Sequence, residues 1–392
     1  MAKKEKYLMK KMVVINRLNY YNFIDFKYLE NKGLQVIPLL IQTPSIYYKN
    51  GIVLENFNYT LLLNTIKKIS PDYICSMYDG FMLAIAKIRE TLNLPGLSYN
   101  SVQNLINKNQ VYKTIDSALK IPKTILLSNE MTYSELTNLL MTDTIFVKPH
   151  SKSGSEAICI ISSEHEFLKF KQEKQFQASS YIAQEYIQGT FYHCELIVQN
   201  DEIKFLSARQ YSAPNHKMIT DSIPLFSIDI DNEITNKIIK QAAIIVQKRM
   251  AFNNGIMHIE FYLNKNMKPI FIEANIRNPG IWLNKMYHMK LGISFETLML
   301  QIEAGIKLDN IIPDNEYYIC GYYPILPGTV KKINYPSLTI KHELDVTVKI
   351  GYSYDKPIKL SKAAAIVAWD NAFDKVFSTY QQLNTHRLLE VE

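Results

Sequence analysis

Over its first hundred residues the chain alternates short apolar runs with helix-length segments, and this alternation restricts the fold more than any other feature. Residues 12–15 (Met-Val-Val-Ile) read as a short strand, 23–31 as a helix stopped near Gly33, and 34–41 as the next strand. A helix over 59–69 closes at Ser70-Pro71. A strand follows at 73–77, and a further helix at 80–91 precedes Leu94-Pro95-Gly96. Each helix at this spacing can carry the chain back to the same edge, so the strands are expected to be parallel. The expectation is a doubly wound α/β sheet.

Past residue 100 the texture changes. A polar helix is expected over 101–120, ended by Ile121-Pro122. Strands rich in Ile, Val, Phe and Tyr follow at 145–147, 157–161, 181–185, 192–198 and 203–210, around one clear helix at 164–173. That pattern suits a small α+β module opening into a larger antiparallel domain. A helix over 232–250 leads to strands at 257–263 and 269–274, joined by the hairpin-type loop Asn264-Lys265-Asn266-Met267-Lys268. Beyond about residue 315, turns at Pro327-Gly328, Tyr335-Pro336 and Gly351 indicate a small β-rich element. At 392 residues the chain is too long for one compact core, and two or three domains are expected.

Composition excludes several classes. Cys75, Cys159, Cys194 and Cys320 are far apart in apolar stretches, so a disulfide framework or a Cys-based zinc site is not expected, and buried thiols in a reducing cytoplasm are. The formal charge of +7 owes much to Lys3, Lys4, Lys6, Lys10 and Lys11, which read as a solvated tail rather than a nucleic-acid-binding face. The run at 12–15 is too short for a signal peptide's core, and no stretch approaches the roughly 18 apolar residues of a membrane span. A cytoplasmic protein without nucleic-acid or membrane partners is expected.

The richest segment is 255–280. It holds His258-Ile259-Glu260-Phe261, then Ile272-Glu273-Ala274-Asn275-Ile276-Arg277-Asn278-Pro279-Gly280. On adjacent antiparallel strands Glu260 and Glu273 can share one sheet face. Apolar neighbours make a bare carboxylate costly there unless it is paired or metal-bound. Two carboxylates and an amide oxygen are hard ligands suited to Mg²⁺, and alternation sets Glu273, Asn275 and Arg277 on one face. An ion-paired hairpin reads equally well from these residues alone. Upstream, Phe146-Val147-Lys148-Pro149 runs into His150-Ser151-Lys152-Ser153-Gly154-Ser155, a lysine at a strand end before a polar loop able to present N–H groups to phosphate. It lacks Walker A spacing. Tyr181–Glu185 and the following Tyr186-Ile187-Gln188-Gly189 read as a strand entering a glycine turn, either an ordinary sheet strand or a hinge whose backbone meets a flat ring.

Taken in order, these pieces resemble the ATP-grasp superfamily of carboxylate–amine ligases, most of all its L-amino acid ligases, across nearly the whole chain. The resemblance implies a pre-ATP-grasp α/β domain over 1–105, a connecting helix over 106–122 and a small lid subdomain over 123–188. It implies a large subdomain with the metal site over 189–315 and a β-rich C-terminal subdomain over 316–392. It further implies phosphate contacts from Lys108, Lys148 and the loop residues Ser153, Gly154 and Ser155. An adenine hinge is implied at Gln184, Glu185, Tyr186 and Ile187, two Mg²⁺ ions (Mn²⁺ being able to substitute) on Glu260, Glu273 and Asn275, and a catalytic Arg277 that steadies the acyl phosphate and tetrahedral intermediate.

The implied reaction activates a carboxylate with ATP and passes it to an amine, and the resemblance implies two L-amino acids as the substrates. An enzyme that activates bicarbonate, or a nucleotide-binding module without catalysis, are the other readings. Three positions depart from the family pattern. Gln184 stands where an acid usually begins the hinge, Phe191 where an acid usually meets the ribose, and Glu156-Ala157 where the phosphate loop often has glycine. Glu195 is expected to take over the ribose contact. Arg209, His216, Gly280 and Trp282 are expected at the substrate, with Trp282 either walling the acceptor pocket or packing in the core. His216, His258 and His288 are the candidate general bases, and a homodimer is the implied assembly.

Overall fold

The computed structural model describes residues 9–17, 23–41, 51–149, 158–172, 180–355 and 362–392. Its first sheet is parallel, as the alternation requires. β1 (Lys10–Arg17), β2 (Leu34–Ile41), β3 (Ile52–Leu54) and β4 (Tyr73–Cys75) lie in the order β3-β2-β1-β4. α1 (Phe26–Asn31), α2 (Tyr59–Ile69) and α3 (Met82–Leu92) connect them or follow them. Ser70 and Asn93 end α2 and α3 in the left-handed conformation.

The expected single helix over 101–120 is two helices. α4 (Tyr99–Ile106) ends and α5 (Lys108–Ile115) begins at Asn107, whose side chain accepts from the Gln110 N–H. An Asn amide that bonds the backbone ahead of it competes with the continuing helix and caps a new one. Lys108 thereby becomes the first residue of α5.

The small module is a four-stranded antiparallel sheet of β5 (Thr124–Leu126), β6 (Ile145–Pro149), β7 (Cys159–Ile161) and β8 (Tyr181–Glu185), in the order β5-β8-β6-β7. It carries two helices rather than the expected one: α6 (Tyr133–Leu140) as well as α7 (Glu164–Gln172). α6 opens with a complete capping box between Thr132 and Glu135.

The large sheet is built from β9 (Thr190–Gln199), β10 (Glu202–Tyr211), β11 (Leu225–Asp229), β12 (Asn254–Leu263), β13 (Pro269–Asn275) and β14 (Tyr317–Pro324). After β15 (Gly328–Ile333), the strands β16 (Lys341–Val346) and β18 (Lys362–Asp370) join its far edge. The order is β13-β12-β9-β10-β11-β14-β18-β16. β17 (Ser353–Tyr354) and β19 (Leu389–Val391) flank β15 in a third small sheet. The C-terminal stretch thus supplies three strands to the large sheet, and it also contains a helix.

α8 (Lys217–Thr220) is a single turn. α9 (Glu233–Arg249) covers one face of the large sheet, burying Ile239, Ala243 and Val246 over Cys194, Met257, Ile259 and Phe261. α10 (Ile281–Leu291) and α11 (Phe295–Glu303) cover the other face, and α12 (Phe373–Thr385) packs near the C-terminal strands. Met12 and Val14 of β1 share a core with Leu298 and Phe295 of α11, so the parallel sheet is packed onto the large one. Arg89 fastens the same contact, donating to the Ile74 carbonyl and, at 2.6 Å, to the Glu303 carboxylate. No helix among the described residues is long and apolar enough to cross a membrane.

Candidate active site

β12 and β13 set the centre of the site. They pair with Glu260 opposite Glu273 and His258 opposite Asn275, so these four side chains share a face. Ile259 and Phe261 alternate onto the other face and are fully buried beneath α9. The hairpin loop is fixed by Asn264, whose side chain accepts from the N–H groups of Asn266 and Lys268. Next to Glu273 the register shifts, since Glu260 pairs with Glu273 while Phe261 pairs with Phe271. Ile272 is left over at this bulge, and its carbonyl accepts from Tyr112 Oη at 2.8 Å.

Cations and amides surround the carboxylates. Lys108 Nζ lies 3.2 Å from Glu273 Oε2, and Asn275 Nδ2 donates to Glu273 Oε1 at 3.1 Å. Burial would raise the Glu273 carboxyl, but Lys108, Lys148 and the Asn275 amide hold it well below the usual carboxylate range. Lys148 is itself buried, which lowers its pKa, while Glu273 and Glu260 pull the other way. Tyr112 stands between these groups: Lys148 Nζ is 3.4 Å and Gln184 Nε2 3.2 Å from its hydroxyl. Asn215 Nδ2 donates to Glu260 Oε1 at 2.6 Å, leaving the buried Asn215 Oδ1 with no partner among the described residues.

One cavity of about 850 Å³ gathers most of the expected residues. Lys108, Lys148, the four hinge residues Gln184, Glu185, Tyr186 and Ile187, and the trio Glu260, Glu273 and Asn275 all line it. Arg277, His216, Gly280 and Trp282 line it as well. Gln184 donates its amide to Tyr112 Oη and, at 2.8 Å, to Thr124 Oγ1, which leaves its carbonyl oxygen as the atom for a ligand. At Gly189, a Cβ would sit 2.6 Å from the Leu263 carbonyl oxygen, so the turn from β8 into β9 requires glycine. Phe191, where an acid was expected, packs against Tyr211 and Tyr262 and makes an aromatic wall. Ser153, Gly154 and Ser155 lie outside the described residues.

Arg277 Nε pairs with Asp79 Oδ2 at 2.7 Å, just past the C-terminal end of β4. A crevice outside the carboxyl ends of parallel strands is where α/β sheets present ligands. His216 stacks edge-on against Phe146 with ring centroids 5.3 Å apart, and burial lowers its pKa. Trp282 faces the cavity under the Lys285 ammonium, 4.5 Å from the ring centroid.

Three expected residues do not line the cavity. His288 is one, its ring centroid 5.9 Å from that of Phe23. Glu195 is fully buried: His193 Nδ1 is 2.7 Å and His258 Nδ1 2.8 Å from its Oε1, and Tyr287 donates to its Oε2. Its carboxylate is engaged inside the protein and does not face a ribose site. Arg209 is also fully buried, held by Asp229, by Ser227 and by the Tyr318 carbonyl. His193, Glu195 and His258 lie close enough to hold a metal by spacing, but their ligating atoms already bond one another. Burial would raise Glu195, yet His193 and His258 drive it far down. Burial would lower His258, yet Glu195 and Glu260 raise it to about 9. His258 Nε2 lies 3.3 Å from Glu260 Oε1, so a charged imidazole braces the first carboxylate of the pair.

Sequence reasoning did not single out Tyr112, Asn215, Asp79, Asn284 or Glu296, all of which line the cavity except that Tyr112 sits behind its lysines. Tyr112 carried a usable signal, being four residues after Lys108 and so on the same helix face. The others had none, because their neighbours come from distant segments.

Comparison with known proteins bears on the fold. The ATP-grasp domain family matches residues 105–280. A search of curated proteins finds no match. Among solved structures, the chain is similar to an L-amino acid ligase from Bacillus licheniformis at 17% identity, covering 98% of this chain and 99% of that one, with a TM-score of 0.75. A phosphoribosylglycinamide synthetase from Anaerococcus prevotii is similar at 15% identity, covering 98% and 100%, with a TM-score of 0.65. An N5-carboxyaminoimidazole ribonucleotide synthetase from Thermotoga maritima is similar at 13% identity, covering 98% and 99%, with a TM-score of 0.68.

Proposed function

We propose, from the match of residues 105–280 to the ATP-grasp domain family, that the chain is an ATP-dependent ligase joining a small carboxylate to an amine, with two L-amino acids as its substrates. The observation that carries the reading is the convergence in one cavity of Lys108, Lys148, the Glu260/Glu273 pair and the Gln184–Ile187 strand end. These are the two ends of a nucleotide site. The similarity to an L-amino acid ligase over nearly all of both chains supports the amino-acid substrates.

The donor set fits Mg²⁺. Glu260 and Glu273 stand side by side, Asn275 lies next to them, and the unpartnered Asn215 Oδ1 adds a fourth hard oxygen. These residues would hold the metal, whose chemistry when bound is to neutralise charge on phosphate oxygens. At the other end, the Gln184 carbonyl oxygen can accept from an adenine amino group, and Phe191 and Tyr262 offer apolar surface to the nucleoside. The ribose contact passes from Glu195 to groups on the cavity wall. We assign Ser153, Gly154 and Ser155 to the phosphate loop.

In the first step a carboxylate oxygen of the acid bonds to the γ-phosphorus and the bond to the β–γ bridging oxygen breaks, giving an acyl phosphate and ADP. Lys108 and Lys148 bind phosphate oxygens on the way. In the second step the amine nitrogen bonds to the acyl carbon, phosphate leaves and the nitrogen sheds a proton. Arg277, held in orientation by Asp79, presents N–H groups to the oxyanion of the tetrahedral intermediate.

Mass spectrometry of reactions containing ATP, Mg²⁺ and amino acids in pairs tests the reading. The expected product has the summed mass of two amino acids less one water, formed with ADP. A carboxylated product from bicarbonate, or no new product across the panel, would contradict it.

A further inference from the structure

Beyond the phosphate end, the cavity holds a second group of polar side chains that phosphoryl chemistry does not use. Asn278, Asn284 and Glu296 all line it and are each at most 5% exposed. Asn284 Nδ2 donates to Glu296 Oε1 at 2.9 Å. An ionised carboxylate, the form a cationic guest would hold, only accepts, so in that form the amide nitrogen faces Glu296 and Asn284 Oδ1 faces elsewhere. Glu296 Oε2, Asn284 Oδ1 and both polar atoms of the Asn278 side chain have no hydrogen-bond partner among the described residues.

Buried polar atoms are rarely left so, and a cluster of them lining a cavity points to a ligand that completes them. The inventory says what kind. Three unpartnered oxygens stand against one N–H₂ group, so the guest must bring more donors than acceptors. No basic side chain forms an ion pair with Glu296 among the described residues, and burial lifts its carboxyl to about 7. A cationic guest would supply the missing charge.

The scaffold is stiff. Glu296 lies in the first turn of α11, where the Ser294 side chain accepts from the Thr297 N–H, and Asn284 lies on α10, which packs beside it.

We propose that Glu296, Asn284 and Asn278 form a subsite for the primary ammonium group of a substrate. The chain would therefore act on amino acids or other amines in preference to amine-free acids or bicarbonate. This rests on the cavity being the substrate site of the proposed ligase. The three N–H bonds of an ammonium match the three oxygens, and the carboxylate provides the charge.

Equilibrium binding separates this proposal from the ligase reading, because it needs no turnover. Trp282 lines the cavity and gives a fluorescence signal. Primary L-amino acids are titrated against amine-free acids of the same carbon skeleton, with and without Mg²⁺ and a non-hydrolysable ATP analogue. In the wild-type protein at least one amino acid should bind about tenfold or more tightly than its amine-free counterpart. Glu296→Gln should lower that ratio about tenfold with an unchanged circular dichroism spectrum. Should that variant fail to fold, the same ratio in Asn278→Ala decides, since it removes an acceptor without touching the acid. An undiminished ratio, or no amino acid outbinding its counterpart, would overturn the proposal. Amine discrimination without any ATP turnover would leave the subsite standing and reject the ligase.

Discussion

Glu260 and Glu273 are direct cross-strand partners, and the Lys108 ammonium lies 3.2 Å from Glu273. Like charges set opposite each other repel, so this pair is costly to keep unless cations occupy the space before it. Glu273→Gln removes one of the proposed magnesium ligands and the partner of Lys108. Phosphate release from ATP should fall by about a hundredfold or more, with an unchanged circular dichroism spectrum showing that the variant still folds. Turnover at the wild-type rate in this variant would reject the metal assignment.

Glu195 is tied to His193, His258 and Tyr287 and does not line the cavity. Replacing it with Gln leaves the buried His258 cation without its main anion. Denaturant melts should show a loss of about 3 kcal/mol or more. The affinity for ATP, measured by equilibrium binding, should move by less than about threefold, since no nucleotide contact is lost. A large loss of ATP affinity with unchanged stability would restore the ribose contact.

Arg277 owes its orientation to Asp79, which follows β4 of the parallel sheet and lies outside the residues that match the ATP-grasp domain family. Asp79→Asn keeps the shape but weakens the hold. The kcat of amide formation should drop about tenfold, with the KM for ATP unchanged, as follows from the proposed role of the arginine at the acyl centre. A change confined to the KM for ATP would place Arg277 on the phosphates instead.

Stability should also depend on pH through Glu296. Its carboxyl is raised from 4.5 to about 7 by burial. Between these values the folded chain holds a proton that the unfolded chain has released, so folding weakens as pH rises through this window and levels off above it. Glu296→Gln cannot ionise and escapes this decline. Its stability relative to wild type should grow from pH 4.5 to 7, by up to about 3 kcal/mol, in urea melts. A difference independent of pH would show that the acid is already compensated.

Much of this was legible where periodicity and chemistry agreed. The parallel sheet followed from alternating elements, and the β12–β13 hairpin from two apolar strands carrying Glu260 and Glu273 around an Asn-rich loop. Other features were hidden for physical reasons. Nearly all of α11 is buried, from Phe295 to Ile302, so it shows no polar face to betray its period. The break at Asn107 depends on one side chain choosing to cap. Glu195 looked available because sequence cannot distinguish an acid facing a cavity from one enclosed by two histidines and a tyrosine. Asp79 and Glu296 reach the site only through the packing of β4, α10 and α11 onto the large sheet.

On the proposed reading, this cavity couples ATP cleavage to the joining of an acid and an amine. Phosphate release from Mg-ATP, measured with amino acids singly and in pairs and with bicarbonate, tests it most directly. Release should depend on an amino acid pair and fall to background in Glu273→Gln. Release driven by bicarbonate alone, or tight ATP binding with no release under any condition, would contradict it.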